Sequence, residues 1–183
     1  GSTIQSVAAT GRGGDVVVTA PQLSMESGAA ISTTMVGAGR GGDVRVNSSG
    51  TATISGDFTG INTGSFFADP TAPEQGAPGN VIGHFGTLIL TNGATIQSGV
   101  LFGSQGGDVS IVATGPIIIS DRAGIASESF FTNAGSVTIS APTVSLNHGF
   151  ISTSTLATGR AGDIVISGDS VELANGGQIA SAS

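Results

Sequence analysis

The sequence predicts an all-β protein, a β-solenoid of six to seven coils of about 28 residues with three short strands per coil. Three observations carry this. A Gly-(Asp/Asn/Ser)-(Val/Ile) triplet recurs at Gly14, Gly42, Gly79, Gly107, Gly135 and Gly162, with start-to-start spacings of 28, 37, 28, 28 and 27 residues. Apolar residues alternate with polar ones in β-branched runs bounded by Gly, the signature of short strands with one buried face. No segment offers the i, i+3, i+4 apolar pattern of a helix. One such coil cannot bury its inner face alone, but coils stacked at about 4.8 Å build a continuous core, so six of them make a rod about 30 Å long.

The elements follow in a fixed order. The triplet opens each coil, and its apolar member begins a first strand: Val16/Val18, Val44/Val46, Val109/Ile111, Val137/Ile139 and Ile164/Ile166. A second apolar pair follows at Leu23/Met25, Ala52/Ile54, Leu88/Leu90, Ile117/Ile119, Val144/Leu146 and Val171/Leu173. A Gly-containing turn and an isolated Ile close the coil, at Ile31, Ile61, Ile96, Ile125, Ile151 and Ile179, with Ile4 at the same position of a truncated earlier coil. The expected division is a partial coil over 1–12, coils starting near 13, 41, 79, 106, 134 and 161, and a loop insertion over about 66–78. Val16, Val44, Val81, Val109, Val137 and Ile164 should stack as one inner column, and the third-strand isoleucines as another. Five residues after each Ile stand Val36, Phe66, Leu101, Phe130 and Leu156, expected as core or corner packing rather than a binding platform. Pro21, Pro116 and Pro142 sit before second strands, at a corner where a missing N–H is tolerated. Asn92-Gly93 and Asn175-Gly176 are turn signals for left-handed backbone.

Composition removes several function classes. Among 183 residues there are 31 Gly, no Cys, no Trp and no Tyr, and charged residues make up 9%. Without Cys there are no disulfides, zinc-thiolate sites, Fe–S clusters or Cys nucleophiles. A formal charge of −7 argues against nucleic acid or an anionic membrane as partner. No apolar run reaches the roughly 18–20 residues of a membrane span.

The strings Gly-Arg-Gly-Gly-Asp-Val-x-Val, Leu-x-Met and Ser-Gly-Ala-Ala-Ile-Ser-Thr resemble the repeats of filamentous-haemagglutinin-like large exoproteins, which leave bacteria by two-partner secretion and are common in cyanobacteria. The resemblance runs along essentially the whole chain, through 92–98 and 175–181, and lacks the motifs of the family's secretion domain. It implies a right-handed parallel β-helix, an extracellular or outer-surface location, and a role in adhesion or in spacing a distal tip.

Candidate chemistry is sparse. The column Asp15, Asp43, Asn80, Asp108, Ser136, Asp163 is distantly like a calcium-binding nonapeptide, but a calcium ion wants six to eight oxygens. What Asp, Asn and Ser share is a short acceptor for backbone N–H groups, so the column reads as a turn-closing device. Arg12, Arg40 and Arg160 stand three residues before Asp15, Asp43 and Asp163, with Gln105 and Asn133 at the equivalent places. They read as compensation for stacked acids, which repel by about 1 kcal/mol in a water-like dielectric, ahead of an Arg stripe for an acidic glycan. Glu26, Asp57, Asp69, Glu74, Asp121, Glu128, Asp169 and Glu172 are scattered, although Asp121 and Glu128 share a coil with Arg122. His84, at the end of a first strand, and His148, in the turn before Ile151, are lone residues in different coils and read as ordinary polar positions. Ser32-Thr33, Asn62-Thr63, Gln97-Ser98 and Ser152-Thr153 suggest an ice-binding ladder, but Ala126 and Ala180 interrupt it, which leaves a solvated hydroxyl face. The insertion carries Pro70, Pro73 and Pro78.

The sequence therefore assigns no catalytic, cofactor-binding or metal-binding residue. The expectation is a non-catalytic shaft segment of a secreted or surface-attached adhesin-like exoprotein, with no nucleic-acid partner and no membrane insertion. Two further readings stay open: a carbohydrate-binding or polysaccharide-cleaving β-helix, and a self-assembling extracellular fibre subunit. Ile4 and Ile179 share a coil position and neither end carries a cover. The expected partners are thus neighbouring coils of a longer chain or end-to-end copies, with cell-surface glycans as a further candidate.

Overall fold

A computed structural model describes residues 1–66, 76–101, 105–156 and 158–183. Within them the chain is all strand and turn, wound into a β-solenoid of about six coils. Each coil carries up to three strands, illustrated by Val109–Ala113, Ile117–Ser120 and Gly124–Ser129. Every ladder is parallel and pairs a residue with its counterpart one coil away. The third strands form a seven-stranded sheet from Thr3–Ala8 to Gln178–Ala182, and the first and second strands together form a ten-stranded sheet. A short fourth ladder, Gly11–Arg12 against Gly39–Arg40, lies in the Gly-rich return.

The expected columns stack in register. Val16 pairs with Val44, Val44 with Val81, Val81 with Val109, Val109 with Val137 and Val137 with Ile164. The third-strand isoleucines align in the same way from Ile4 to Ile179. Ile54, Leu90, Ile119 and Leu146 of the second strand are fully buried, and each such side chain removed from water contributes about 1.5–3 kcal/mol. The core is thus a set of like-on-like stacks running along the rod.

Two expectations are corrected. The first and second strands are not separate in every coil, because Val44–Ser55 and Val81–Thr91 run through the corner. These two carry Gly50 and Gly86 near the bend, whereas the coils with Pro21, Pro116 and Pro142 break there. Proline has no N–H with which to continue the ladder. A shift in register between Ser48 and Thr51 absorbs the corner of the first long strand.

The second correction concerns the column five residues beyond the third-strand Ile. Val36, Phe66, Leu101, Phe130 and Leu156 are 39%, 52%, 37%, 45% and 70% exposed and belong to no core. The reason is parity. Strand side chains alternate faces, so Ile31, Thr33 and Met35 point in while an odd step of five points out.

The triplet glycine has a steric cause. A Cβ on Gly42 would run into the Gly14 carbonyl of the previous coil, and Gly79, Gly107, Gly135 and Gly162 stand in the same relation to the glycine before them. The coils can close to strand spacing at this corner only where that position has no side chain.

Candidate functional site

The acid column links coils rather than closing its own turn. The Asp43 N–H donates to Asp15 Oδ1 (2.9 Å), the Asn80 N–H to Asp43 Oδ1 (2.9 Å), the Asp108 N–H to Asn80 Oδ1 (3.0 Å) and the Ser136 N–H to Asp108 Oδ1 (2.8 Å). Each side chain therefore satisfies a backbone donor one coil further on. This explains why Asn replaces Asp at position 80 without loss, since both present the same carbonyl-type oxygen. Among the described residues no group of three or more His, Cys, Asp or Glu is arranged to hold a metal ion.

The cation that serves this column is one the sequence reading passed over. Arg45, between the inward Val44 and Val46, reaches Asp15 (2.8 Å) with one guanidinium nitrogen and Asp43 (2.7 Å) with another. Arg40 pairs with Asp43 at 3.5 Å, while Arg12 and Arg160 make no ion pair among the described residues. The Asp43 N–H holds the Asp15 carboxyl below its ordinary range; burial, the next effect in size, opposes it, and Arg45 then adds to the lowering. The period-2 alternation that marks Val44 and Val46 as inward also marks Arg45 as outward, and this was the available signal.

The Ser/Thr pairs after the third-strand Ile divide between two environments, which corrects the expectation of a solvated face. Thr33, Thr63, Ser98, Ser127 and Thr153 are buried. They are tied to the Gly-Asp corner across the core: Thr33 donates to the Gly42 carbonyl, Thr63 to Gly79, Ser127 to Gly107 and Thr153 to Gly162. Ser98 and Ser127 also accept the N–H groups of Gly107 and Gly135. The other member of each pair points out.

The remaining polar candidates disperse. Asp121 accepts from the Ser120 and Thr91 hydroxyls, which hold it below the usual carboxylate range. Arg122 instead reaches Asp57 at 3.6 Å, and Glu128 lies on the outer face of the third-strand sheet. His84 is exposed within Val81–Thr91, and His148 sits in a turn with φ 58°. Asp69, Glu74, Pro70 and Pro73, with most of the insertion, lie outside the described residues.

What the structure does assemble is a groove of about 310 Å³ on the outer face of the third-strand sheet, across coils 1 to 4. Its floor is the backbone at Gly64 and Gly99, one wall is the polar column Ser32, Asn62 and Gln97, and the other is Phe66, Leu101 and Phe130. Ser32, Asn62 and Gln97 are in register across three coils, and so stand about 4.8 Å apart. The Phe66 ring lies across Gly64, whereas a Cβ on Gly99 would meet nothing within 4 Å. Among the described residues the buried Asn62 Oδ1 has no hydrogen-bond partner.

A second depression shares Asn62 and Gln97 and is closed on its far side by Phe58 and Arg122. Phe58 is 94% exposed with φ 61°, and Arg122 has φ 67°. Both occupy turn positions that Gly fills in neighbouring coils, at Gly28 and Gly93. A left-handed conformation costs a bulky residue about 1–2 kcal/mol. The ion pair from Asp57 to Arg122 passes over Gly93, whose absent Cβ leaves room for the carboxylate. Sequence reasoning missed this ridge because it treated the corner only where Asn-Gly announced it. Comparison of the chain with protein-family models, with curated proteins and with solved structures returned no match.

Proposed function

We propose that this chain is a length of shaft from a secreted or surface-attached bacterial adhesin-like exoprotein, a non-catalytic spacer that acts outside the cell. The observation that supports the reading is the unbroken register. From Ile4 to Ile179 each coil adds one strand to the third-strand ladder without a slip. Such a body grows by about 4.8 Å per coil, as a spacer must. The repeat strings that resemble filamentous-haemagglutinin-like exoproteins point the same way.

The test is a graft. The segment replaces an equal number of coils in the shaft of an exoprotein exported by two-partner secretion, and surface display of the distal tip is measured with a tip-specific antibody. Display at the parental level is expected. A fusion retained inside the cell or truncated at the graft would overturn the shaft reading. Release of reducing ends from a panel of polysaccharides by the purified chain would instead establish a cleaving β-helix.

A further inference from the structure

We infer that the groove on the outer face of the third-strand sheet binds an extended, neutral glycan chain laid along the solenoid axis. The inference goes beyond the shaft reading and does not depend on it, since a spacer works with any solvated surface.

The occupant follows from the chemistry of the walls. A sugar ring in an extended chain presents an apolar C–H face and, at its rim, hydroxyls that both donate and accept. Phe66, Leu101 and Phe130 form a ledge for the C–H faces, exposed because strand parity turns them out. Asn62 and Gln97 stand opposite, each with an amide that donates and accepts at once. Their spacing of about 4.8 Å is close to the length of one ring in an extended chain, so successive rings meet successive coils.

Charge selects a neutral chain. Among the described residues the groove lining contains Glu128 and no cation, and Arg122, beyond the amide column, faces the Asp57 carboxylate. A polyanion would find repulsion there and no counter-charge, on a protein whose formal charge is already −7. At Gly64 the Phe66 ring leaves no room for a side chain, but packing does not require a glycine at position 99. A Cβ at Gly99 would have free space around it, and the residue carries no left-handed φ, so a larger side chain fits the fold but fills the groove.

That last point supplies the test. Cellohexaose, laminarihexaose and mannohexaose are titrated into the full chain by calorimetry, beside polygalacturonate as an anionic probe. Binding of at least one neutral hexaose is expected. Gly99→Ile and Phe66→Ala should each weaken it by about tenfold or more with unchanged melting temperature, and Ser145→Ala, on the other sheet, should leave it intact. Four results would overturn the proposal: no neutral hexaose binding at millimolar concentration, binding indifferent to Gly99→Ile, binding of polygalacturonate alone, or concentration-dependent self-association that Gly99→Ile abolishes. The last would assign the groove to a second copy of the chain.

Discussion

The two faces of the third-strand sheet are built from alternate residues of the same strands, yet they follow opposite rules. Inside, Ile31, Ile61, Ile96, Ile125 and Ile151 repeat without substitution. Outside, one residue later, the column runs Ser32, Asn62, Gln97, Ala126 and Ser152. An inner side chain has a like neighbour above and below at strand spacing, so a change of volume or polarity disturbs three coils together. An outer side chain has no like-on-like stack to maintain, and all but Ala126, which is 2% exposed, reach solvent at least in part. The regular face therefore holds the rod together, and the irregular face is where coils acquire individual surfaces such as the groove.

The largest expected effect breaks the inner face. Ile96→Asp places an unpaired carboxylate between Ile61 and Ile125, where Ile96 is fully buried. It should cost about 5 kcal/mol or abolish folding. Gln97→Asp, one residue away and outward, should change stability by no more than about 0.5 kcal/mol. Urea denaturation of the pair checks this, and equal midpoints would mean the two faces do not differ as described.

A polar version of the same comparison uses Ser127 and Ser154. Ser127→Ala removes a hydroxyl that accepts the Gly135 N–H and donates to the Gly107 carbonyl. Leaving two buried groups unsatisfied costs about 2 kcal/mol. Ser154→Ala, outward in the neighbouring coil, should be neutral. Thermal melting separates them, with a shift of about 4–8 °C for the first.

The corner column sharpens the contrast between acceptor and charge. Asp108→Ala should cost about 1 kcal/mol through loss of the Ser136 N–H bond, while Asp108→Asn should be close to neutral. Faster hydrogen exchange at the Ser136 amide in the alanine variant alone would mark the lost bond. Asp15 adds a pH dependence. Its folded carboxyl titrates below the ordinary value, so its contribution is fully present above the unfolded pKa of about 3.9 and is lost as pH falls through the folded value. Asp15→Asn should flatten the acid limb of the stability profile, and an unchanged limb would remove Asp15 from the account.

The smallest effect runs in the opposite direction. Phe58→Gly should stabilise by about 0.5–1 kcal/mol, because glycine adopts φ 61° without the penalty a bulky residue meets. A lower melting temperature would show that the exposed ring makes a stabilising contact in the folded chain.

Much of this organisation was legible beforehand, because a solenoid writes its tertiary contacts into its period. Stacking at a fixed repeat brings residue n against its counterpart one coil away, so the Val and Ile columns could be named from spacing alone. The outward ledge was within reach as well: five is odd, and parity alone separates Phe66 and Phe130 from the core. The long strands Val44–Ser55 and Val81–Thr91 were harder to see, since a glycine at the corner permits both a bend and a continued ladder.

By itself, then, the sequence determined the period, the identity of the stacked columns and the glycine at each corner, since all three repeat along one axis. Only the tertiary structure decided how elements meet around the coil. The buried Ser127 hydroxyl reaches Gly107, twenty residues back and across the core. Arg45 bridges acids of two coils, and Asp57 passes over Gly93 to Arg122 two coils on. A repeat specifies which residues stack but not how far a side chain leans from its own column. That is set by the free space left between coils, which exists only once the chain has closed around its core.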